Sequence, residues 1–250
     1  TKYLVIHSGS RNLGKQVAEL YQEMAIDQHK GIGKYFESRE SIIERLKAQG
    51  RESEIENALA ELKKKKENEA PDIPEDLCDL SGVSFEDYLH DIELCQQFAR
   101  RNREIMASII LKRLGINGTD AFHTIHNYID TKEMILRKGA IAAHEGEKVL
   151  IPINMRDGSI LAVGKGNPEW NYSAPHGAGR VMSRMQAKQA LTMKDYQETM
   201  KGIYTTSVTQ ATLDEAPMAY KSLEDIINVI GESVEIIEIL KPIYNFKSSE

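Results

Sequence analysis

Cysteine and aromatic side chains are scarce. The chain has two cysteines and one tryptophan in 250 residues, and aromatics make up 6% of it. Cys78 and Cys95 cannot build a disulfide framework, so a reducing cytoplasm is the expected compartment. No apolar run approaches the roughly 18 residues of a membrane-spanning helix. No apolar segment opens the chain in the manner of a secretory signal. An excess of positive charge is also missing. The 32 Lys and Arg stand against 38 Asp and Glu, a net charge of -6. That argues against a general DNA-coating protein but leaves room for a local basic cleft. An initiator methionine is absent too. Residues 3–6, Tyr-Leu-Val-Ile, read as a buried strand already under way, and a domain rarely starts so abruptly. An upstream part is therefore expected.

What is present is an ordinary globular composition, with 41% hydrophobic and 28% charged residues. After His7-Ser-Gly-Ser-Arg11-Asn-Leu-Gly, apolar residues Leu13, Val17, Leu20, Tyr21 and Met24 recur at helical spacing, and Gly31 and Gly33 end that helix. Residues 37–70 hold 17 charged side chains, nine acidic and eight basic, and read as an exposed helical excursion. The four lysines at 63–66 are flanked by Glu61, Glu67 and Glu69, which favours a solvated helix face over a nucleic-acid patch. Residues 84–114 read as one long amphipathic helix stopped by Gly115. Its expected core positions are Leu89, Ile92, Leu94, Phe98, Ile105, Ile109 and Leu114. Strands are expected at 121–129, 134–137, 148–153, 159–163, 204–208 and 234–240, and helices at 180–190, 194–201 and 222–230. The fold class is α+β: one sheet-rich body over residues 1–250 with a mainly helical insertion at 31–118.

Charge and glycine coincide. Residues 132–190 hold nine Lys and Arg against five Asp and Glu, and five of the 17 glycines fall within 158–179. This combination suggests a polyanion lying across a phosphate site.

Five segments can carry chemistry. In His7-Ser-Gly-Ser-Arg11, a strand-end imidazole can bind a metal and the helix start with Arg11 a phosphate; a capped turn is the plain alternative. In His123-Thr-Ile-His126-Asn127, the two histidines fall on opposite faces of a strand, so one at most joins a given metal. In Asn171-Tyr-Ser-Ala-Pro-His176-Gly-Ala-Gly-Arg180, glycines let a phosphate reach backbone N–H groups. Arg180 and Arg184 can neutralise it, and His176 can act on phosphorus as acid or nucleophile. Residues 151–159 read as a strand, a polar turn and a strand. Asn154 and Ser159 can hold a base or ribose there, or the segment is a bare hairpin. Lys247 gains interest only if its segment is tucked in.

Taken together these segments resemble the RtcB family of RNA-splicing and repair ligases. The resemblance runs through His7-Ser-Gly-Ser-Arg11, His126-Asn127, Arg137-Lys-Gly-Ala140, residues 151–159, His176-Gly-Ala-Gly-Arg180, Asp214-Glu-Ala-Pro-Met-Ala-Tyr220 and Lys247. It implies GTP- and Mn²⁺-dependent joining of RNA 2′,3′-cyclic phosphate or 3′-phosphate ends to 5′-hydroxyl ends. It implies that His176 becomes guanylylated and that His7 and His126 bind metal. Asn127, Pro152, Ile153, Asn154, Met155, Ser159, Gly177, Ala178, Gly179, Tyr220 and Lys247 would surround the guanylate. Arg11, Lys138, Arg180 and Arg184 would meet RNA phosphates. A cytoplasmic monomer acting in RNA repair or tRNA splicing is implied. The family's Asp-x-x-Cys metal segment and its Asn-His segment have no counterpart here, and Cys78 lacks the matching context. Two histidines are too few for a dinuclear site, so this chain alone is expected to bind Mn²⁺ weakly and not to ligate. Two other readings stand beside this one. A metal-dependent phosphoesterase or nucleotidyl hydrolase would need no covalent histidine. A non-catalytic RNA-binding module would bind RNA without regard to GTP, metal or end chemistry.

Overall fold

The apolar periodicity of the first helix is realised as α1, Arg11–His29. Gly31, at φ 74°, takes the left-handed turn that separates it from α2, Ile32–Ala48. α3, Ile55–Glu67, and the long α4, Val83–Leu114, follow, and Gly115 (φ 66°) stops α4 as expected. The computed structural model describes residues 1–67 and 70–247. Glu69 lies outside the described residues, as do the side chains of Lys66 and Glu67; Lys63 to Lys65 are exposed on α3.

The chain divides into two compact units. One is Ile6–Ile110; the other joins Thr1–Val5 to Leu111–Glu250. In the first unit, Tyr21 and Ala25 of α1 and Cys95 and Ala99 of α4 are buried. The Tyr21 and Tyr88 rings lie 5.0 Å apart, and the Tyr21 hydroxyl donates to Asp91 at 2.8 Å. Burial and that carboxylate push the Tyr21 phenol up to about 12. The expected core stripe of α4 is corrected here. Leu94, Phe98, Ile105, Ile109 and Leu114 are exposed, and Leu89 and Ile92 only half-buried. The face that is buried is the one with the small side chains Cys95 and Ala99.

α1 also holds the segment leading into α4. Gln28 donates to Ser84 at 3.0 Å and accepts from the backbone N–H of Ser81 at 3.2 Å. His29 sits between two carboxylates, with Nδ1 2.7 Å from Asp72 and Nε2 2.9 Å from Asp79.

The second unit carries the sheets. β1 (His126–Asp130), β2 (Ile135–Ala142) and β5 (Ser173–Pro175) form one antiparallel sheet in the order β1-β2-β5. β3 (Lys148–Asn154), β4 (Gly158–Gly164) and β7 (Val234–Leu240) form a second, in the order β3-β4-β7. Between them in sequence lie α5 (Arg184–Ala190), α6 (Met193–Thr199) and α7 (Leu223–Ile230). β6 (Tyr204–Thr205) pairs in parallel with β8 (Tyr244–Asn245). The α+β class is as expected. The strand expected at 3–6 is not one: Tyr3, Leu4 and Val5 are exposed, and no described strand pairs with them, so an apolar run without a ladder stays irregular. Residues 121–125 likewise precede the β1 ladder.

α7 lays Ile226 and Ile230 on the second sheet, where Val149, Ile151, Ile160, Ala162 and Val234 alternate inward to make the main core. A smaller core joins Met155, Tyr196, Met200, Leu213 and Ala216. The first sheet is pinned by a charge. Arg137 is 1% exposed. It donates to Ser173 Oγ (3.0 Å), Tyr128 Oη (3.2 Å) and the Asn171 carbonyl (3.2 Å), with Asp130 and Glu133 each 3.4 Å away. A buried guanidinium so satisfied is costly to disturb, because removing it strands the carboxylates and carbonyl.

Two predictions follow from these contacts. Arg137→Ala lowers the unfolding stability of the sheet-bearing unit by about 3–5 kcal/mol, read by denaturant titration, and Arg137→Lys recovers only part of it; an unshifted midpoint contradicts the pinning role. The two carboxylates raise the His29 pKa above its ordinary value. A raised folded-state pKa stabilises fully below the unfolded value and is lost as pH rises through the folded one. Amide exchange in residues 71–82 therefore accelerates as pH climbs past neutrality, beyond the intrinsic pH effect, and His29→Gln removes that extra dependence.

Candidate functional site

β2 carries Arg137-Lys-Gly-Ala, and its antiparallel pairing with β5 sets Ala140 opposite Pro175. His176 follows immediately and so arrives beside Gly139. His176 Nδ1 lies 2.6 Å from the Gly139 carbonyl oxygen. A carbonyl only accepts, so Nδ1 carries the proton and Nε2 carries the lone pair. The His126 ring lies 4.9 Å from the His176 ring, centre to centre. Asn127, at φ 54°, accepts the Gly139 N–H at 2.8 Å.

The loop after His176 rests on the 151–159 hairpin. The backbone N–H of Ala178 donates to the Pro152 carbonyl at 3.2 Å, and a Cβ on Gly177 would meet that same oxygen at 3.0 Å. Glycine is thus the residue that lets the two backbones touch. Gly179 takes φ 71°, which favours glycine for a different reason. In the hairpin the Asn154 side chain is spent locally: Oδ1 accepts from the N–H groups of Arg156 (2.9 Å) and Asp157 (2.8 Å), and Nδ2 donates to Asp157 (2.8 Å). Ile153 and Met155 are buried in the two cores, and Ser159 is buried opposite Pro152 and Leu240.

A carboxylate cluster lies on the other side of the same loop. Glu215 is buried, and it accepts from the Tyr220 hydroxyl and from Lys247 Nζ. Arg180 Nη1 donates to Tyr220 Oη at 3.0 Å and stands 3.7 Å from Glu215, with its guanidinium 4.9 Å over the Tyr220 ring centre. Arg184 reaches Glu215 at 3.6 Å and Asp214 at 3.9 Å; Lys188 reaches Asp214 at 3.5 Å. Burial alone would push the Glu215 carboxyl up, but Lys247, Tyr220 and Arg180 together hold it below the usual range. Burial and the Glu215 carboxylate push the Tyr220 phenol up. Lys247 is tucked in: β8 pairs with β6, the Lys247 N–H donates to Ser207 Oγ at 2.7 Å, and that hydroxyl bonds the Lys247 carbonyl at 3.1 Å.

His126, Asn127, Gly139 and His176 are thus brought together, as are Arg180, Arg184, Tyr220 and Lys247. Lys138 is exposed on β2, on the strand face opposite Arg137. His7 and Arg11 belong to the Ile6–Ile110 unit, where Arg11 opens α1 at φ 54°. Sequence reasoning did not single out Asp214, Glu215 or the Gly139 carbonyl. The Asp-Glu pair opens the family-like segment 214–220, which was the available signal for the carboxylates; a backbone carbonyl leaves none.

Among the described residues, no three His, Cys, Asp or Glu side chains gather so as to hold a metal ion. The donor set therefore does not by itself fit the two Mn²⁺ ions that the resemblance implies. No helix among the described residues is long and apolar enough to cross a membrane.

The chain is 32% identical over 176 residues to the RNA-splicing ligase RtcB of Escherichia coli K12, covering 64% of this chain and 43% of that protein. It is 26% identical over 266 residues to the tRNA-splicing ligase RtcB of Nanoarchaeum equitans, covering 92% of this chain and 48% of the relative. With that of Aeropyrum pernix it shares 43% identity over 89 residues, 34% of this chain and 18% of the relative. The chain spans less than half the length of these curated relatives. The family profile described as tRNA-splicing ligase RtcB matches residues 2–248, so the chain belongs to the RtcB family.

Proposed function

We propose that this chain carries the nucleotidyl-transfer site of a GTP-dependent RNA ligase that joins 2′,3′-cyclic phosphate or 3′-phosphate ends to 5′-hydroxyl ends. The observation that carries the reading is the 2.6 Å contact of His176 Nδ1 with the Gly139 carbonyl. It leaves the Nε2 lone pair available for phosphorus. In the first step Nε2 forms a P–N bond to the α-phosphorus of GTP, the α–β bridging P–O bond breaks, and pyrophosphate leaves. An RNA 3′-phosphate oxygen then takes the GMP from His176. The 5′-hydroxyl oxygen attacks that 3′-phosphate, loses its proton to solvent and expels GMP. A cyclic phosphate is first opened by water.

The guanylate would lie among the 152–155 backbone, Ser159, Gly177, Ala178, Gly179, Tyr220 and Lys247, beside Asn127. Lys247 and Tyr220 are held in place there by Glu215, so a base or ribose would meet an oriented Lys247 ammonium and the fixed Tyr220 ring, whose O–H is spent on Glu215. Lys138 and Arg184, both exposed, would meet RNA phosphates, with Arg180 and Arg11 as further contacts. A divalent cation such as Mn²⁺ would neutralise the triphosphate. His126 in the sheet-bearing unit and His7 in the other are each proposed as a metal ligand, and the described donors fall short of holding an ion alone. The cytoplasm is the compartment this reading places it in.

Incubated with α-labelled GTP and Mn²⁺, the full-length protein is expected to retain an acid-labile GMP adduct that His176→Ala abolishes. Residues 1–250 alone are expected to label weakly and not to ligate. Free GMP without an adduct would favour a hydrolase on the same scaffold. RNA binding indifferent to GTP, metal and end chemistry would favour a binding module.

A further inference from the structure

The β1–β2 ladder breaks at one place. His126 pairs with Ile141 and Tyr128 with Arg137, so one residue on β1, Asn127, faces three on β2, Lys138, Gly139 and Ala140. Such a bulge withdraws backbone groups from the ladder and re-aims them. Here both backbone groups of Gly139 meet side chains, and its carbonyl also accepts the His176 backbone N–H at 3.4 Å. The Gly139 N–H donates to Asn127 Oδ1 at 2.8 Å. Its carbonyl accepts from His176 Nδ1 at 2.6 Å. Asn127 reaches across because its own backbone is left-handed, at φ 54°, a conformation that Asn adopts more readily than most L-residues. Gly139 is left-handed too, at φ 71°; a Cβ there would stand 3.6 Å from the His176 ring, so its backbone angle and not crowding calls for glycine. Arg137, buried and fully bonded two residues earlier, stops this stretch of β2 from relaxing.

The geometry points to Asn127 as a positioning residue. Through the Gly139 peptide it sets the tautomer and the aim of the His176 imidazole. Without the clamp the Lys138–Gly139 peptide can turn and the Gly139 backbone angles change with it, so the Gly139 carbonyl moves off Nδ1 and the Nε2–H tautomer, which has no lone pair for phosphorus, becomes accessible. This inference rests on the reading of His176 as nucleophile, but the tautomer itself does not depend on catalysis.

The test uses ¹⁵N-imidazole NMR on the metal-free full-length protein at about pH 8.5, above the ordinary imidazole range, together with single-turnover guanylylation. Four proteins are compared: wild type, Asn127→Ala, Asn127→Gly and Asn127→Asp. Asn127→Gly keeps the left-handed backbone and removes only the acceptor, and backbone amide spectra establish that each variant is folded. Wild type and Asn127→Asp are expected to show a protonated Nδ1 and an unprotonated Nε2 on His176. The Ala and Gly variants are expected to show mixed tautomers. Their guanylylation rate at saturating GTP falls about ten- to a hundredfold, and Asn127→Asp recovers most of it. A wild-type tautomer and rate in a folded Asn127→Gly overturns the proposal. If wild type shows the expected tautomer yet never forms the adduct, the nucleophile reading fails while the clamp stands.

Discussion

The sheet-bearing unit is organised around a buried carboxylate. Glu215 cannot stay ionised among Leu213, Ala216 and Ala219 without partners, because desolvating a lone charge costs several kcal/mol. Its partners come from three distant parts of the chain: Arg180 and Arg184 after the His176 loop, Tyr220 five residues on, and Lys247 from the segment paired with β6. Satisfying one carboxyl group thus fixes where the loop leaves the hairpin and where Lys247 stops. It also balances the end of the stretch rich in Lys and Arg, where Asp214 and Glu215 stand beside Arg180, Arg184 and Lys188.

A second buried charge does comparable work in the first sheet. Arg137 ties β1, β2 and the turn before β5, and the next residues of β2 then carry the one irregular pairing in that ladder. Rigidity on one side of the bulge lets the Gly139 peptide be aimed at His176 and not absorbed into regular pairing. The two charges therefore divide the labour: one holds the loop that follows His176, the other the strand that faces it.

Much of this was legible in the residue pattern. The strands expected at 148–153, 159–163 and 234–240 are β3, β4 and β7, whereas the glycines at 177 and 179, read as admitting a phosphate, serve a close approach to the Pro152 carbonyl and a left-handed turn. Two readings failed for identifiable reasons. The run at 3–6 has strand-like side chains, but a strand is defined by a partner, which local sequence does not contain. On α4, hydrophobicity pointed to Phe98, Ile105 and Ile109, whereas the residues actually buried are the smaller Cys95 and Ala99, because burial follows what packs on a face and not the size of its apolar side chains.

Sequence alone established the family, the α+β class and the identity of the histidines, glycines and basic residues that can act on a phosphate, because those are properties of residue type and order. Tertiary structure decided which of them meet. It paired Lys247 with Glu215, spent Asn154 on its own turn, and turned Asn127 toward a backbone amide on the neighbouring strand. These choices depend on where buried charges and unpaired backbone groups can be satisfied, and that is settled only when segments far apart in the chain pack together.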